Sequence, residues 1–352
     1  MTQFIYTPAP TKVIFGSGAL SQIREVVLEL HCERALVIVT NGQIEQGRHV
    51  MNLLGNLGVS LCHKAVMHTP EDVTESVVYD CKDIGVDCLV AIGGGSTIGL
   101  SKALALRTNL PQVFIPTTYA GSEATPIVGQ SKGGVKTTQV SPTVLPKVII
   151  YDVHLTDTLP LKLTLLSGFN AMAHAIEALY AQQQNPITEV LAKRGIASFV
   201  KSLPALLEDP HDESARTEAL IGAWMCGTCL ASAGMALHHK LCHTLGGSFG
   251  LPHAEIHTVV LPHAIAYNTE AARASLDKVA RILGTDNAAQ GIYDLQKRLG
   301  VVQSLKELGL KEEDLPKAAE IAMSRVYHNP AKLSYEGILA LLTDAYYGRR
   351  PS

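Results

Sequence analysis

The length and composition of the 352-residue chain predict a compact folded protein with two domains. Hydrophobic residues make up 47% and charged residues 17% of the chain, which excludes global disorder. With 29 basic and 32 acidic residues the formal net charge is -3, so no excess charge favours nucleic acid or an anionic membrane. We therefore expect a small-molecule ligand.

Cysteine usage and the start of the chain favour the cytoplasm. Seven cysteines is an odd number, and the first residues lack the basic and then apolar run of a secretory signal. We interpret Cys226 and Cys229, a lone CxxC pair, as buried thiols. Residues 219–237 are uncharged and approach the length of a membrane span. Their glycines and hydroxyl side chains predict a buried helix instead.

The first part of the chain alternates short apolar runs with helical patterns. Residues 71–84, closed by Gly85, and residues 96–106, with Ser96 as N-cap, are typical of helices. This alternation predicts an α/β domain over residues 1–158, with a parallel sheet covered on both faces. The expected buried strands are 35–39, 86–92, 112–115 and 148–151.

After Pro160 the periodicity becomes that of helices, which predicts an all-α domain over residues 159–352. No long polar linker separates the two halves, so we expect a shared interface whose cleft is the default ligand site. The expected helices are 161–181, 187–207, 215–243, 276–283, 292–299 and 315–324.

A glycine loop follows one predicted strand and begins a predicted helix. Bare backbone N–H groups and a helix N-terminus suit a pyrophosphate, although a plain tight turn is the competing interpretation. The next strand is followed by a loop rich in hydroxyl groups, and open α/β sheets bind ligands where successive strands end. The expected cofactor-binding residues of these two loops are Gly93, Gly94, Gly95, Ser96, Thr117, Thr118 and Ser122.

Asn41 follows an earlier strand, at the position where a dinucleotide fold meets the adenosine ribose. It carries no negative charge, so we expect both NADH and NADPH to be accepted.

Fourteen histidines are many for this composition, and six of them lie between residues 238 and 263. Asn170 and His174 stand four residues apart in a predicted helix, as do His239 and His243, so each pair shares one helical face. His253 follows in a predicted loop. We interpret the others in this region, His238, His257 and His263, as hydrogen-bonded core residues.

Three imidazoles with a polar fourth group suit a tetrahedral divalent metal. Asn170 argues against one, because a neutral amide leaves the charge of the cation uncompensated. The same residues alternatively form a metal-free site for acid catalysis and anion binding.

These motifs, taken together and in this order, resemble the iron-containing alcohol dehydrogenase superfamily over essentially the whole chain. The resemblance implies an N-terminal NAD(P)-binding α/β domain and a C-terminal helical domain, the fold of dehydroquinate synthase, commonly in homodimers. The motifs that carry it are Gly93–Ser96, Pro116–Thr118, Gly168–Glu177, His239–Gly247 and Pro252–His253.

Within that superfamily the metal ligands fall on Asn170, His174, His239 and His253, with His243 beside the reacting centre. The family has aspartate where this chain has Asn170, and a second aspartate of the family is replaced by Gly99. Lys136 aligns with a lysine of the family on the cofactor side, which implies contact with the nicotinamide end.

Within the superfamily, the motifs are most similar to the maleylacetate-reducing branch, which is regarded as metal-independent. That branch uses NADH or NADPH to reduce maleylacetate to 3-oxoadipate in the degradation of aromatic compounds. The resemblance thus implies a dicarboxylate substrate and no metal.

Hydride addition to this conjugated substrate leaves an enolate, which a hydrogen-bond donor stabilises without a Lewis acid. We assign the proton donor to His243. The other catalytic and substrate-contacting candidates are His253, His239, His174, Asn170, Tyr119, Lys240 and Arg325.

Two other functions are compatible with the sequence. One is a metal-dependent alcohol or lactaldehyde-type dehydrogenase that tolerates Asn170 as a ligand. The other is a nucleotide-binding protein of the same fold that has lost turnover. Metal analysis separates the first from a metal-free reductase, and an assay of NADH oxidation separates the second.

Overall fold

The computed structural model describes residues 3–133, 135–324 and 327–352, without the side chains of Val135 and Lys136. Internal contacts divide the chain into two compact units. The α/β unit is Pro8–Leu159, and the helical unit is Pro160–Ser352 with the N-terminal segment, of which residues 3–7 are described.

The α/β unit contains a parallel sheet and an antiparallel hairpin. Its strands are β1 (Lys12–Phe15), β2 (Ala35–Ile38), β3 (Gly58–Cys62), β4 (Cys88–Gly93), β5 (Gln112–Pro116), β6 (Ile127–Lys132), β7 (Val135–Val140) and β8 (Val148–Tyr151). The described residues of the sheet have the order β1-β8-β5-β4-β2-β3, and each pairing is parallel. Its helices are α1 (Ile23–Glu29), α2 (Ile44–Leu54), α3 (Glu71–Ile84) and α4 (Gly95–Thr108).

The central strands of the sheet are buried along their whole length, as the short apolar runs of the sequence predict. Gly93, the last residue of β4, pairs in register with Pro116, the last residue of β5. The glycine loop after β4 and the loop after β5, which contains Thr117 and Thr118, therefore begin side by side at the carboxyl-terminal ends of the strands.

Two details of the α/β unit differ from the sequence predictions, and a third agrees with them. The edge strands β1 and β3 and the hairpin β6–β7 are absent from the prediction, and most residues of β1, β3 and β6 are only partly buried. Ser96 is not the N-cap of its helix, since Gly94 occupies that position and the helix begins at Gly95. Helix α3 has the predicted bounds, and Gly85 closes it with a left-handed φ of 74°.

The helical unit packs around α5, whose residues 164–178 are all buried. Its helices are α5 (Leu161–Ala178), α6 (Pro186–Glu208), α7 (Glu213–Ala233), α8 (Leu237–Phe249), α9 (His253–Asn268), α10 (Arg273–Leu283), α11 (Ala288–Arg298), α12 (Leu315–Met323) and α13 (Tyr335–Tyr347). The fold class predicted from the sequence, α/β followed by all-α, is confirmed.

The single helix predicted over residues 215–243 is wrong. The chain bends by 97° between α7 and α8, and Gly234 lies at the bend with a left-handed φ of 73°. Apolar periodicity continues across such a bend, so the pattern alone conceals it. Helices α9 and α13 are absent from the prediction. Pro252 precedes α9 and Pro262 lies inside it, and prolines in a sequence usually indicate the end of a helix.

Among the described residues, no single helix is long and apolar enough to cross a membrane, and the bent pair α7 and α8 passes that test by length and composition alone.

Candidate active site

The glycine loop leaves open space at one of its three glycines. A Cβ atom on Gly93, whose φ is 148°, would lie 2.5 Å from Thr97 Oγ1, and one on Gly94 would lie 2.8 Å from Thr118 Cγ2. A Cβ on Gly95 would meet nothing within 4 Å. Gly95 is also the first residue of α4, so exposed backbone at a helix N-terminus is available to an anion.

Hydrogen bonds hold the ends of three neighbouring strands together beside this loop. Thr117 N donates to Gly93 O at 3.1 Å, and Thr117 Oγ1 accepts from Gln43 Nε2 at 3.1 Å. Thr40 Oγ1 also donates to Gln43 Oε1 at 3.0 Å. Gln43, which sequence reasoning missed, therefore ties the end of β2 to the loops after β4 and β5.

Asn41 is exposed beyond the end of β2, and its side chain contacts a residue that the sequence analysis did not consider. Its Oδ1 lies 2.6 Å from Nδ1 of His63, which follows β3 directly. His63 is also exposed. The predicted ribose-binding position thus consists of two polar side chains from adjacent strand ends.

A buried lysine fixes the loop that carries Ser122. Lys102 Nζ donates to the carbonyl oxygens of Ser122 at 2.6 Å, Thr125 at 2.8 Å and Ile127 at 2.9 Å. Burial lowers the pKa of Lys102 to about 7. The neighbouring Glu123 is also buried, and burial raises its pKa to about 7. The loop is therefore held in one conformation by an internal polar network.

The replacement of the family's aspartate by Gly99 has a local explanation. A Cβ atom at Gly99 would lie 2.6 Å from Oγ1 of Thr69, so the Thr69 hydroxyl occupies the space that a side chain would need. Thr69 is buried and has a left-handed φ of 47°. This unusual backbone places its hydroxyl against α4.

The helical unit brings the histidines together from α5, α8 and α9. Each helix contributes a pair four residues apart, and the pairs are Asn170 with His174, His239 with His243 and His253 with His257. The prediction that His253 lies in a loop is wrong, because it is the first residue of α9 and Pro252 is the N-cap.

Glu177 on α5 organises the start of α8. Its carboxylate accepts from the backbone N–H groups of Ala236 at 2.9 Å and His238 at 2.7 Å, which caps the N-terminus of that helix. It also lies 2.7 Å from His239 Nδ1. Because a carboxylate accepts hydrogen bonds, Nδ1 of His239 carries the proton and Nε2 keeps its lone pair. The resemblance motif includes Glu177, but sequence reasoning gave it no role.

His257 belongs to the same cluster, although the sequence analysis interpreted it as a hydrogen-bonded core residue. That interpretation is wrong, because neither ring nitrogen of this buried side chain has a hydrogen-bond partner among the described residues. Its ring centroid lies 4.4 Å from that of His253, 5.0 Å from His239 and 6.3 Å from His174. The spacing from His253 to His257 is the signal that could have identified it.

The interpretation of His238 as a hydrogen-bonded core residue is confirmed. Its side chain is fully buried, and its Nε2 donates to the backbone oxygen of His257 at 3.0 Å. His263 is buried on α9, and its Nε2 has no partner within the described part of the chain.

Burial keeps the inner histidines neutral. Removal from water lowers the pKa of His174, His239 and His257 well below the usual histidine value, and the neighbouring imidazoles lower it further. The same desolvation lowers the pKa of His238 to about 4. These rings are therefore uncharged at neutral pH, and each offers one lone pair and one N–H group.

Three buried polar atoms, Asn170 Oδ1, His174 Nδ1 and His239 Nε2, have no hydrogen-bond partner among the described residues. Their chemistry fits either a cation or a ligand that donates hydrogen bonds. All three donor groups are neutral, and the aspartate that would compensate a divalent charge is replaced by Asn170. Asn170, His174 and His239 therefore offer atoms that suit metal coordination, but they lack the negative charge that would balance a divalent cation.

A second group, His238, His239 and His257, has ring nitrogens within 4.8 Å of one another. His238 Nε2 and His239 Nδ1 already donate to His257 O and to Glu177. Hydrogen bonding therefore accounts for the arrangement of these two rings without an ion.

The remaining candidates differ in exposure. His243 and His253 are exposed, and Lys240 Nζ lies 5.7 Å from the centroid of the Tyr327 ring in a cation–π contact. Tyr119, in the loop after β5, is fully buried. Arg325 and the side chain of Lys136 lie outside the described residues.

The chain belongs to the iron-containing alcohol dehydrogenase family. Residues 10–153 match the family described as iron-containing alcohol dehydrogenase, and residues 164–346 match the C-terminal part of the Fe-containing alcohol dehydrogenase family. Membership makes the chain an oxidoreductase of the NAD(P)-dependent kind.

Within this family the chain is similar to maleylacetate reductases. It is 48% identical over 351 residues to that of Rhizobium sp. strain MTP-10005, with 100% of both chains covered. The crystal structure of maleylacetate reductase from Agrobacterium tumefaciens superposes with a TM-score of 0.97 at 47% identity, covering 100% of each chain. A putative alcohol dehydrogenase from Ralstonia eutropha JMP134 gives a TM-score of 0.99, also at 47% identity and full coverage.

Proposed function

We propose that this chain reduces maleylacetate to 3-oxoadipate with NADH or NADPH. The observation that carries the proposal is the full-length 48% identity to a maleylacetate reductase. The glycine loop of the α/β unit and the cluster of neutral histidines in the helical unit support it.

The α/β unit holds the nucleotide in this proposal. Gly94, Gly95 and Ser96 offer backbone N–H groups at the start of α4 to the pyrophosphate, and Asn41 meets the adenosine ribose. Thr117, Thr118 and Ser122, in the loop after β5, are the other residues assigned to nucleotide binding in this proposal. The bound nucleotide supplies a hydride to the substrate.

Reduction of maleylacetate needs a proton donor more than it needs a Lewis acid. Maleylacetate is an enone with two carboxylates, so hydride forms a C–H bond at the conjugated carbon and the π electrons move to the ketone oxygen. His243 donates to this enolate oxygen or protonates the carbon, which yields 3-oxoadipate. His253 is also exposed, and in this proposal Lys240 attracts a substrate carboxylate.

We further propose that turnover needs no metal, because Asn170 removes the carboxylate that would balance a divalent charge. If an ion were bound, Asn170, His174, His239 and His253 would hold it and it would polarise the ketone oxygen. Asn170→Asp restores the missing charge, so we expect it to increase metal affinity without increasing turnover.

The test is oxidation of NADH and of NADPH with freshly prepared maleylacetate, measured before and after treatment with a chelator. We expect turnover with both nucleotides and no loss on chelation. Stoichiometric iron or zinc, with activity lost on removal and restored on return, would support the metal-dependent alcohol dehydrogenase instead. A folded protein that binds nucleotide but oxidises it with neither maleylacetate nor a carbonyl substrate would support the non-catalytic alternative.

The nucleotide preference and the setting of the enzyme complete the proposal. With Asn41 at the ribose, we expect the two nucleotides to differ by less than roughly a thousandfold, about 4 kcal/mol in transition-state binding. A cytoplasmic homodimer is the expected form, and light scattering on the purified protein tests the dimer.

A further inference from the structure

We propose that His63 and Asn41 together form a subsite for the 2′ substituent of the nucleotide ribose, and that the charge of His63 sets the preference for NADPH. This inference rests on the proposed use of a nicotinamide nucleotide, and it assigns a specificity-determining role to His63. The observation that carries it is the 2.6 Å contact between His63 Nδ1 and Asn41 Oδ1.

The position of the pair follows from the order of the strands. Strands β4, β2 and β3 are neighbours, and their carboxyl ends carry the glycine loop, Asn41 and His63 respectively. Gln43, two residues after Asn41, binds Thr117 beside Gly93. A dinucleotide whose pyrophosphate lies at Gly94 and Gly95 therefore reaches Asn41 and His63 with its adenosine ribose.

Protonation of His63 fixes which end of the Asn41 amide faces the ribose, whereas the neutral ring permits either orientation through its two tautomers. When the imidazole is protonated, Nδ1 must donate, so Asn41 Oδ1 accepts and its NH₂ group is directed to the ligand. An NH₂ donor beside a cationic ring suits a 2′-phosphate. When the imidazole is neutral, Nδ1 is able to accept from the NH₂ group, and Oδ1 is then free to accept from a 2′-hydroxyl.

The other charged groups around His63 are largely paired with each other. Lys64 Nζ binds Asp80 of α3 at 2.7 Å, and Arg48 binds Glu45 on α2 at 2.7 Å. Asp83 lines the same recess of about 200 Å³ as His63. The pairing of these neighbours leaves the His63 imidazole as the side chain able to place a positive charge beside a 2′-phosphate.

The experiment measures dissociation constants of NADPH and NADH by their fluorescence at pH 6 and pH 8, without substrate. It compares the parent protein with His63→Gln and with the control His49→Gln, which replaces an exposed histidine of α2. The 2′-phosphate itself titrates near pH 6, but that effect is common to all three proteins. The comparison therefore isolates the charge of His63.

We expect the preference of the parent for NADPH over NADH to exceed that of His63→Gln by up to about fivefold at pH 6, and to match it at pH 8. The His49→Gln control should follow the parent at both values. Equal preferences of the parent and His63→Gln at pH 6 would overturn the inference. Failure of the parent to bind either nucleotide would instead overturn the proposed function on which the inference rests.

Discussion

His243 and His253 differ from the other histidines of the cluster in their exposure, and this difference separates their chemical roles. His174, His239 and His257 are buried, and desolvation keeps them neutral. An exposed imidazole keeps its access to protons from water, which is why we propose the proton donor from the exposed pair. The buried rings form a polar surface whose donors and acceptors are set by contacts such as the one between Glu177 and His239.

Replacement of His243 by alanine tests the assignment of the proton donor. We expect turnover to fall by ~10² to 10⁴-fold, because a positioned general acid contributes about that much. Nucleotide affinity should stay near the parent value, since the glycine loop lies in the other unit. A folded His243→Ala protein with near-parent turnover would move the role to His253.

At the scale of an element, the bend between α7 and α8 decides where two of the histidines point. Gly234 has a left-handed φ of 73°, and Glu177 of α5 caps the first turn of α8 immediately after it. His239 and His243 lie on the first two turns of this helix. The direction of α8 is thus set by one glycine and one buried carboxylate.

Substitution of Gly234 by alanine should disturb this arrangement. The backbone of Gly234, with φ 73° and ψ 173°, lies in a region that is essentially restricted to glycine and costs an L-residue about 1–3 kcal/mol, and the added Cβ would lie 2.9 Å from Gln183 Oε1. We expect a lower midpoint of thermal unfolding together with reduced turnover, because α8 must shift. Calorimetry and steady-state kinetics measure the two effects.

Gly247→Ala is the matched control for that substitution. Gly247 lies near the end of α8, where a Cβ meets nothing within 4 Å. Alanine favours a helix over glycine by up to about 1 kcal/mol, so this variant should be as stable as the parent or more stable. Unchanged stability and turnover in Gly234→Ala would contradict the role given to the bend.

For the molecule as a whole, buried histidines couple folding to pH. Burial lowers the pKa of His263 to about 4, whereas a histidine in the unfolded chain titrates near 6.5. Between these two values the unfolded state binds more protons than the folded state, so stability falls as the pH decreases from 6.5 to 4. Above pH 6.5 the group is neutral in both states and contributes no pH dependence.

We therefore expect His263→Leu to lose less stability on acidification than the parent, by about 3 kcal/mol between pH 7 and pH 4. Denaturant unfolding at both pH values measures this difference. The control is His211→Leu, at an exposed position before α7, which should retain the pH dependence of the parent. An equal loss of stability in His263→Leu and in the parent would show that His263 does not titrate as its burial requires.

Local patterns in the sequence are sufficient to predict many of the strands and helices of this protein. The apolar runs of β4, β5 and β8 are recognisable because central parallel strands are buried on both faces. The glycine loop is recognisable because a strand, a glycine turn and a helix follow one another in sequence. The division into α/β and helical parts follows from the change in periodicity near Pro160.

Other features depend on contacts between residues that are distant in the chain. The partnership of Asn41 with His63 requires β2 and β3 to be adjacent, and that of Glu177 with His239 requires α5 to end beside the start of α8. His257 joins the cluster because α9 packs against α5 and α8, which its own sequence does not reveal. The sequence by itself determined the kinds of element and the chemistry they carry, whereas tertiary packing decided which side chains meet and which are buried. The physical reason is that periodicity and turn chemistry are local, whereas burial and hydrogen-bond partners depend on the whole fold.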